Sequence, residues 1–134
     1  MKDIFNWPIR VYYEDTDVGG VVYYANYLKF YERARTEMLR AMGFEQDELI
    51  SSESVIFAVR SVKVDYLKPA RFNELLDISA CLSLVNAASL TFEQSVTRND
   101  ELLSTATIRI ACLDSNTLRP RHIPDDLKQA IVHE

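Results

Sequence analysis

The residues best suited to chemistry lie in one short stretch, YYEDTDVGGVVYYANY, at positions 12–27. Two carboxylates, Asp15 and Asp17, precede the pair Gly19 and Gly20. Glycine has no Cβ, so a ligand can approach the backbone closely there. From Asn26 the apolar residues take on the period of a helix, and the first turn of a helix presents unpartnered amide N–H groups and the positive end of its dipole. A carboxylate beside such donors supplies what acyl transfer needs: one group to attack a carbonyl or activate water, another to hold the oxyanion. The plainer reading is that an Asp ahead of a helix caps it or shapes a turn, because its short side chain bonds nearby backbone amides. Asp15 suits that role, and from the pattern alone both readings of Asp17 stand.

Other chemistries find little footing. The two cysteines, Cys81 and Cys112, have no histidine beside them in sequence and read as buried structural thiols. The histidines, His122 and His133, fall near the C-terminus, and no Cys/His cluster has metal-ligand spacing, so no metal is expected. The formal net charge is −5, which argues against a nucleic-acid partner but not against a small anion met by a local cluster of cations. No apolar run is long enough to span a bilayer, and the start, MKDIFNWPIR, lacks the apolar core of a signal peptide; the expected compartment is the cytoplasm, without membrane insertion.

The elements that must position the motif follow from periodicity. Ile9 to Glu14 alternates as a strand. From about Asn26 to Met42, residues Tyr27, Phe30, Tyr31, Ala34, Met38, Ala41 and Met42 recur at steps of three and four, with Asn26 as expected N-cap and Gly43 as the stop. Leu28 and Leu39 fall off that stripe, so the helix is expected to be wrapped on more than one side. Arg33 and Arg35 are expected to be solvated or paired with Glu32 and Glu37. Asp47 to Ser51 reads as a short helical turn. The period is then two through segments near 61–66, 76–84, 90–96 and 105–112, with Gln94 a polar exception on an apolar parity. Lys68-Pro69, Asn86 and Asn99-Asp100 supply turn chemistry between them. Pro124 opens a last amphipathic piece with Leu127, Ala130 and Ile131 inward. The 134 residues, without linker or repeat, predict a single domain over 1–134 of class α+β: one long helix covered by an antiparallel, curved sheet of about five strands, consecutive strands paired through short connections. The opposite sheet face is either solvated or paired with another subunit.

The string VYYEDTDVGGVVYYANYLKFYERARTEML resembles the YbgC-like branch of the 4-hydroxybenzoyl-CoA thioesterase family, whose motif runs D-x-D-x-x-G-[IV]-V-[YW]-[YH]-x-N-Y after an aromatic strand end. The likeness continues through FAVRSVKVDYLKPARFNELLDI and covers nearly the whole chain. It implies a hotdog fold, a homodimer joined edge to edge or a tetramer of two such dimers, and hydrolysis of an acyl-CoA to free acid and CoA with no cofactor beyond the CoA of the substrate. It implies that Asp17 is catalytic, as nucleophile through a mixed anhydride or as general base for water. It implies that Gly20 and the backbone amides around Tyr23 and Tyr24 meet the thioester, and that Val59, Arg60 and Ser61 lie beside the pantetheine arm. Many members of the branch carry His where this sequence has Tyr24; the 4-hydroxybenzoyl-CoA branch has Tyr there, and a backbone donor does not depend on the side chain. Many relatives also accompany the Tol-Pal envelope system.

Arg60, Lys63, Lys68, Arg71, Arg98, Arg119 and Arg121 are the cations available to CoA phosphates. Two other readings compete with hydrolysis. A hotdog hydratase or dehydratase moves a proton α to the carbonyl, commonly with a His-carboxylate pair, and no histidine lies near this motif. A non-catalytic acyl-CoA-binding subunit would keep the fold, but has no need of Asp17 with its glycines.

Overall fold

In the computed structural model, which describes residues 3–132, the long helix α1 runs over Asn26–Ala41. Its buried side chains are Tyr27, Phe30, Tyr31, Ala34, Arg35, Met38 and Leu39, so the apolar stripe read from the sequence does face the core, and Leu39 widens it. The helix stops as expected at Gly43, whose φ of 95° suits glycine; the Gly43 amide donates to Arg40 O and the Phe44 amide to Leu39 O, both at 2.9 Å. At the other end the cap position is Ala25. Asn26 is the first helical residue, and its side-chain amide donates to Asp15 O at 2.9 Å instead of capping α1.

Strand β1 (Phe5–Arg10) and one 3-10 turn (Tyr13–Asp15) precede α1; α2 (Gln46–Glu53), β2 (Val55–Tyr66), β3 (Leu75–Val85), β4 (Ser89–Arg98), β5 (Glu101–Asp114) and α3 (Asp125–Val132) follow it. All pairings are antiparallel and the sheet order is β1-β3-β4-β5-β2, the α+β hotdog arrangement. The register shifts at Val59/Ser61, Leu82/Leu84 and Val96/Thr97, and such irregularities add the twist that curves a sheet of long strands around a helix. The Asn99-Asp100 hairpin has positive φ at both residues, 49° and 67°, as a tight two-residue turn requires.

The strands depart from the sequence reading in two ways. The first strand is Phe5–Arg10 rather than Ile9 to Glu14, because the Asp15 carboxylate accepts the Tyr12 amide at 2.8 Å and coils the chain before it can extend further. Pro8 is tolerated because β1 is an edge strand. Secondly, β2 and β3 are not neighbours: residues 67–74 cross the end of the sheet. The crossing is stitched in place by the Leu67 and Lys68 amides on Leu103 O (2.8 and 3.1 Å) and by the Asn73 amide on Val11 O (2.9 Å).

A buried polar seam joins α1 to the sheet. Tyr31 donates its hydroxyl to Ser104 Oγ at 2.6 Å. Gln94, the exception to the pattern of β4, donates Nε2 to Tyr31 O at 3.0 Å and accepts Arg35 at 3.0 Å. Arg35 is thus neither solvated nor ion-paired with Glu32 or Glu37, as the helix spacing had led one to expect. The face of the sheet turned away from α1 is polar, with Ser79 and Ser95 bonded to each other at 2.7 Å and Thr107 donating to Glu93 at 2.8 Å.

Candidate active site

The two acids of the motif are given opposite roles by their surroundings. Asp15 is only 7% exposed, its carboxylate accepts the Tyr12 amide, and its carbonyl accepts both the Asn26 side chain and the Tyr23 amide at 3.0 Å. It is the knot that ties β1, the motif loop and α1 together. Asp17 heads a tiny hairpin: its amide donates to Val21 O at 2.9 Å, its carbonyl accepts the Gly20 amide at 3.0 Å, and Thr16 bridges Val22. Gly20 takes φ 78° to close that turn, while a Cβ on Gly19 would meet Asp17 Oδ1 at 3.3 Å. The Gly19 amide donates to the same Oδ1 at 2.8 Å. One carboxylate oxygen is therefore fixed and the other is left open toward solvent in the single chain.

The start of α1 supplies donors. The Tyr23 amide is already spent on Asp15 O, whereas the amides of Tyr24 and Ala25 meet no acceptor among the described residues. These two, rather than Tyr23, are free to take a developing oxyanion. Their position is held by long-range contacts that no local pattern announces. Val22 donates its amide to Ala70 O at 2.8 Å, the Ala70 amide donates to Tyr27 Oη at 3.1 Å, and Tyr66 at the end of β2 donates its hydroxyl to Tyr24 O at 3.0 Å. Burial pushes the Tyr27 and Tyr66 phenols up, so both stay protonated at neutral pH. The crossing segment is itself pinned by Arg98, which donates to Pro69 O at 3.1 Å and pairs with Glu74 at 2.8 Å and with Glu101.

The other expected site residues lie elsewhere in the chain. Val59, Arg60 and Ser61 are exposed at the bulge in β2, and Ser61 is about 17 Å of strand away from Tyr66. One chain does not bring them to Asp17. Of the candidate cations, Lys68 and Arg98 are committed to Glu101 and Glu74, and Arg121 to Glu53 O at 2.7 Å. Arg71 bridges Val21 through its backbone and so stands beside the motif hairpin. His122 lies past Cys112, which pairs with Phe57 at the opposite end of β2 from Tyr66, roughly 25 Å or more along the strand. His133 lies outside the described residues.

Residues 11–131 match the family model of the thioesterase-like superfamily. The chain is 44% identical to the acyl-CoA thioesterase YbgC of Haemophilus influenzae over 129 residues, 96% of this chain and 95% of that protein. It is 45% identical to the acyl-CoA thioester hydrolase YbgC of Escherichia coli over 125 residues, 92% of each. A probable thioesterase from Bartonella henselae superposes with a TM-score of 0.87 at 36% identity, covering 91% of this chain and all of that one.

Proposed function

This chain belongs to the thioesterase-like superfamily, and within it to the YbgC acyl-CoA thioesterases; it is an acyl-CoA thioester hydrolase, and we propose that Asp17 carries the reaction. The observation that supports this most directly is the split within the motif: Asp15 is buried, with its carboxylate on the Tyr12 amide and its carbonyl on Asn26 and Tyr23, while Asp17 is exposed, with one oxygen on the Gly19 amide and the other open. The open oxygen either attacks the thioester carbonyl, expelling CoA thiolate to leave a mixed anhydride that water then opens, or takes a proton from the water that attacks. In both routes the carbonyl oxygen gains negative charge, and the unengaged amides of Tyr24 and Ala25 at the start of α1 receive it. Gly20 leaves the approach to the hairpin unobstructed, since nothing lies within 4 Å of where its Cβ would be. Arg71, beside the hairpin, is the cation we assign to a CoA phosphate. No group beyond the chain and the CoA of the substrate enters the scheme.

The working unit in this reading is a single domain over 1–134 acting as a homodimer in the cytoplasm. β2 is a free edge strand with Val59, Val62 and Tyr66 exposed, a surface that pairing with a second copy would bury. An antiparallel β2–β2 junction runs the Val59–Ser61 segment of one copy back toward the Asp17 hairpin of the other, which accounts for their separation in one chain. Pairing of two dimers through the polar outer face gives the tetramer. No helix among the described residues is long and apolar enough to cross a membrane. Association with the Tol-Pal system is checked by co-purification from the native host.

Asp17→Asn tests the assignment. Turnover of acyl-CoA, followed by release of thiol, is expected to fall by about a hundredfold to ten-thousandfold. The melting temperature is expected to hold, because the Asn Oδ1 can still accept the Gly19 amide. Undiminished turnover would remove Asp17 from the mechanism.

A further inference from the structure

Leu28, Glu32, Arg35 and Leu39, spaced four, three and four, share the side of α1 turned toward β2. Leu28, Glu32 and Arg35 line a groove of about 320 Å³ with Val59 and Val62. Glu32, Arg35 and Leu39 line a cavity of about 200 Å³ with Phe57 and Val59. The middle of the stripe therefore lies beside Val59, at the bulge near the midpoint of β2. Leu28 to Leu39 is about 16 Å of helix, and Val62 back to Phe57 is about as much strand, so α1 and β2 run side by side in opposite directions.

Within one chain this stripe is unbalanced. Arg35 is buried, and its observed bond is to Gln94 Oε1 at 3.0 Å. Among the described residues no carboxylate comes within ion-pair distance of it. A buried cation is costly without a counter-charge. Glu32 is exposed, and its observed bond is from Thr36 Oγ1 at 3.3 Å. Leu28 is 40% exposed, while the cavity between Leu39 and Phe57 has room for a leucine side chain.

A two-fold axis that joins β2 to its copy edge to edge reverses every direction in the plane of the sheet. It therefore also sets the two α1 helices antiparallel. About the point between Arg33 and Ala34, Glu32 is the counterpart of Arg35 and Leu28 the counterpart of Leu39. We propose that this side of α1 is the second half of the dimer junction: Glu32 of each copy pairs with Arg35 of the partner subunit, and Leu28 of each enters the cavity beside Leu39 of the partner subunit. The inference rests on the homodimer through β2 proposed above, and it adds what fixes the register. A slip of three residues along the helices brings Glu32 against Glu32 of the partner subunit, or Arg35 against Arg35 of the partner subunit. Like charges oppose both slips, so one alignment is selected. The groove is then a wall of the assembled dimer, and each charge meets its opposite twice across one axis.

Sedimentation velocity and native mass spectrometry on the full chain supply the test. Glu32→Arg sets a guanidinium against Arg35 of the partner subunit in both contacts. Its dimer is expected to have a Kd at least about thirtyfold above wild type, the low end for a charge pair broken inside an interface. Arg35→Glu is expected to weaken its own dimer likewise. Mixed, the two variants are expected to pair with each other, because both contacts then join opposite charges. Glu32 is exposed, so Glu32→Arg decides the matter even where Arg35→Glu fails to fold. A Glu32→Arg dimer as tight as wild type would overturn the pairing and leave the β2 junction and the hydrolase standing; a changed KM for acyl-CoA in that dimer would give the groove to the acyl chain instead. Wild type that stays monomeric at every concentration while hydrolysing acyl-CoA would overturn the homodimer reading as well.

Discussion

The Tyr66 hydroxyl donates to the Tyr24 carbonyl at 3.0 Å, joining the end of the free-edge strand to the residue whose own amide meets no acceptor among the described residues. The bond fixes the peptide just before α1 without occupying the Tyr24 N–H. Tyr66→Phe is expected to lose about 0.5–1.5 kcal/mol of stability. The looser donor should lower kcat by about twofold to tenfold, with little change in KM, as steady-state kinetics would read.

Asp15 and Asp17 should separate cleanly in mutagenesis. Asp15→Ala leaves the Tyr12 amide without its acceptor and is expected to destabilise the fold by about 1–2 kcal/mol in denaturant titration. Asp17→Ala, which removes a side chain whose one bond among the described residues is to the Gly19 amide, should cost far less stability and nearly all turnover.

The two glycines make a similar contrast. Gly20→Ala meets no neighbour, so its cost is the left-handed backbone alone, about 1–2 kcal/mol in thermal or chemical unfolding. Gly19→Ala places a methyl 3.3 Å from Asp17 Oδ1, and it should displace the carboxylate and lower kcat more than it lowers stability.

If the free edge of β2 is where two copies join, Val62→Asp should give monomers by sedimentation velocity, and turnover should fall with the loss of the dimer. A dimeric Val62→Asp protein would place the junction elsewhere.

Bonds from Lys68 and Arg98 hold the Glu101 carboxyl down to about 2, below its ordinary 4.5. A depressed carboxyl stabilises the folded state above the ordinary value, and that contribution is lost as pH falls through the folded one. The difference in melting temperature between wild type and Glu101→Gln should therefore be present at neutral pH and close as pH drops from 4.5 toward 2. Glu101 is half-buried with its carboxylate reached by solvent, so added salt should shrink the same difference.

Local chemistry carried much of this protein into the open. The step of three and four from Tyr27 to Met42 placed α1 because a helix repeats every 3.6 residues whatever surrounds it. Gly43 and the Asn99-Asp100 pair marked a helix end and a hairpin because few residues accept positive φ. The motif acids and glycines identified a candidate site because their types alone narrow the chemistry. Strand order, by contrast, was not legible: β2 lies beside β5, and residues 67–74 cross the sheet because acceptors at Leu103 and Val11, distant in sequence, hold them there. Nor was Arg35, which the helix period assigned to a surface pair and which packing turned inward onto Gln94. Sequence determined which residues can do chemistry and which local turns they make, because those depend on side-chain type and nearest neighbours. Only the tertiary structure decided which acid is buried and which is open, which amides at the start of α1 are already spent, and that the Arg35 guanidinium meets Gln94 instead of a carboxylate, because each depends on contacts made across the whole sheet.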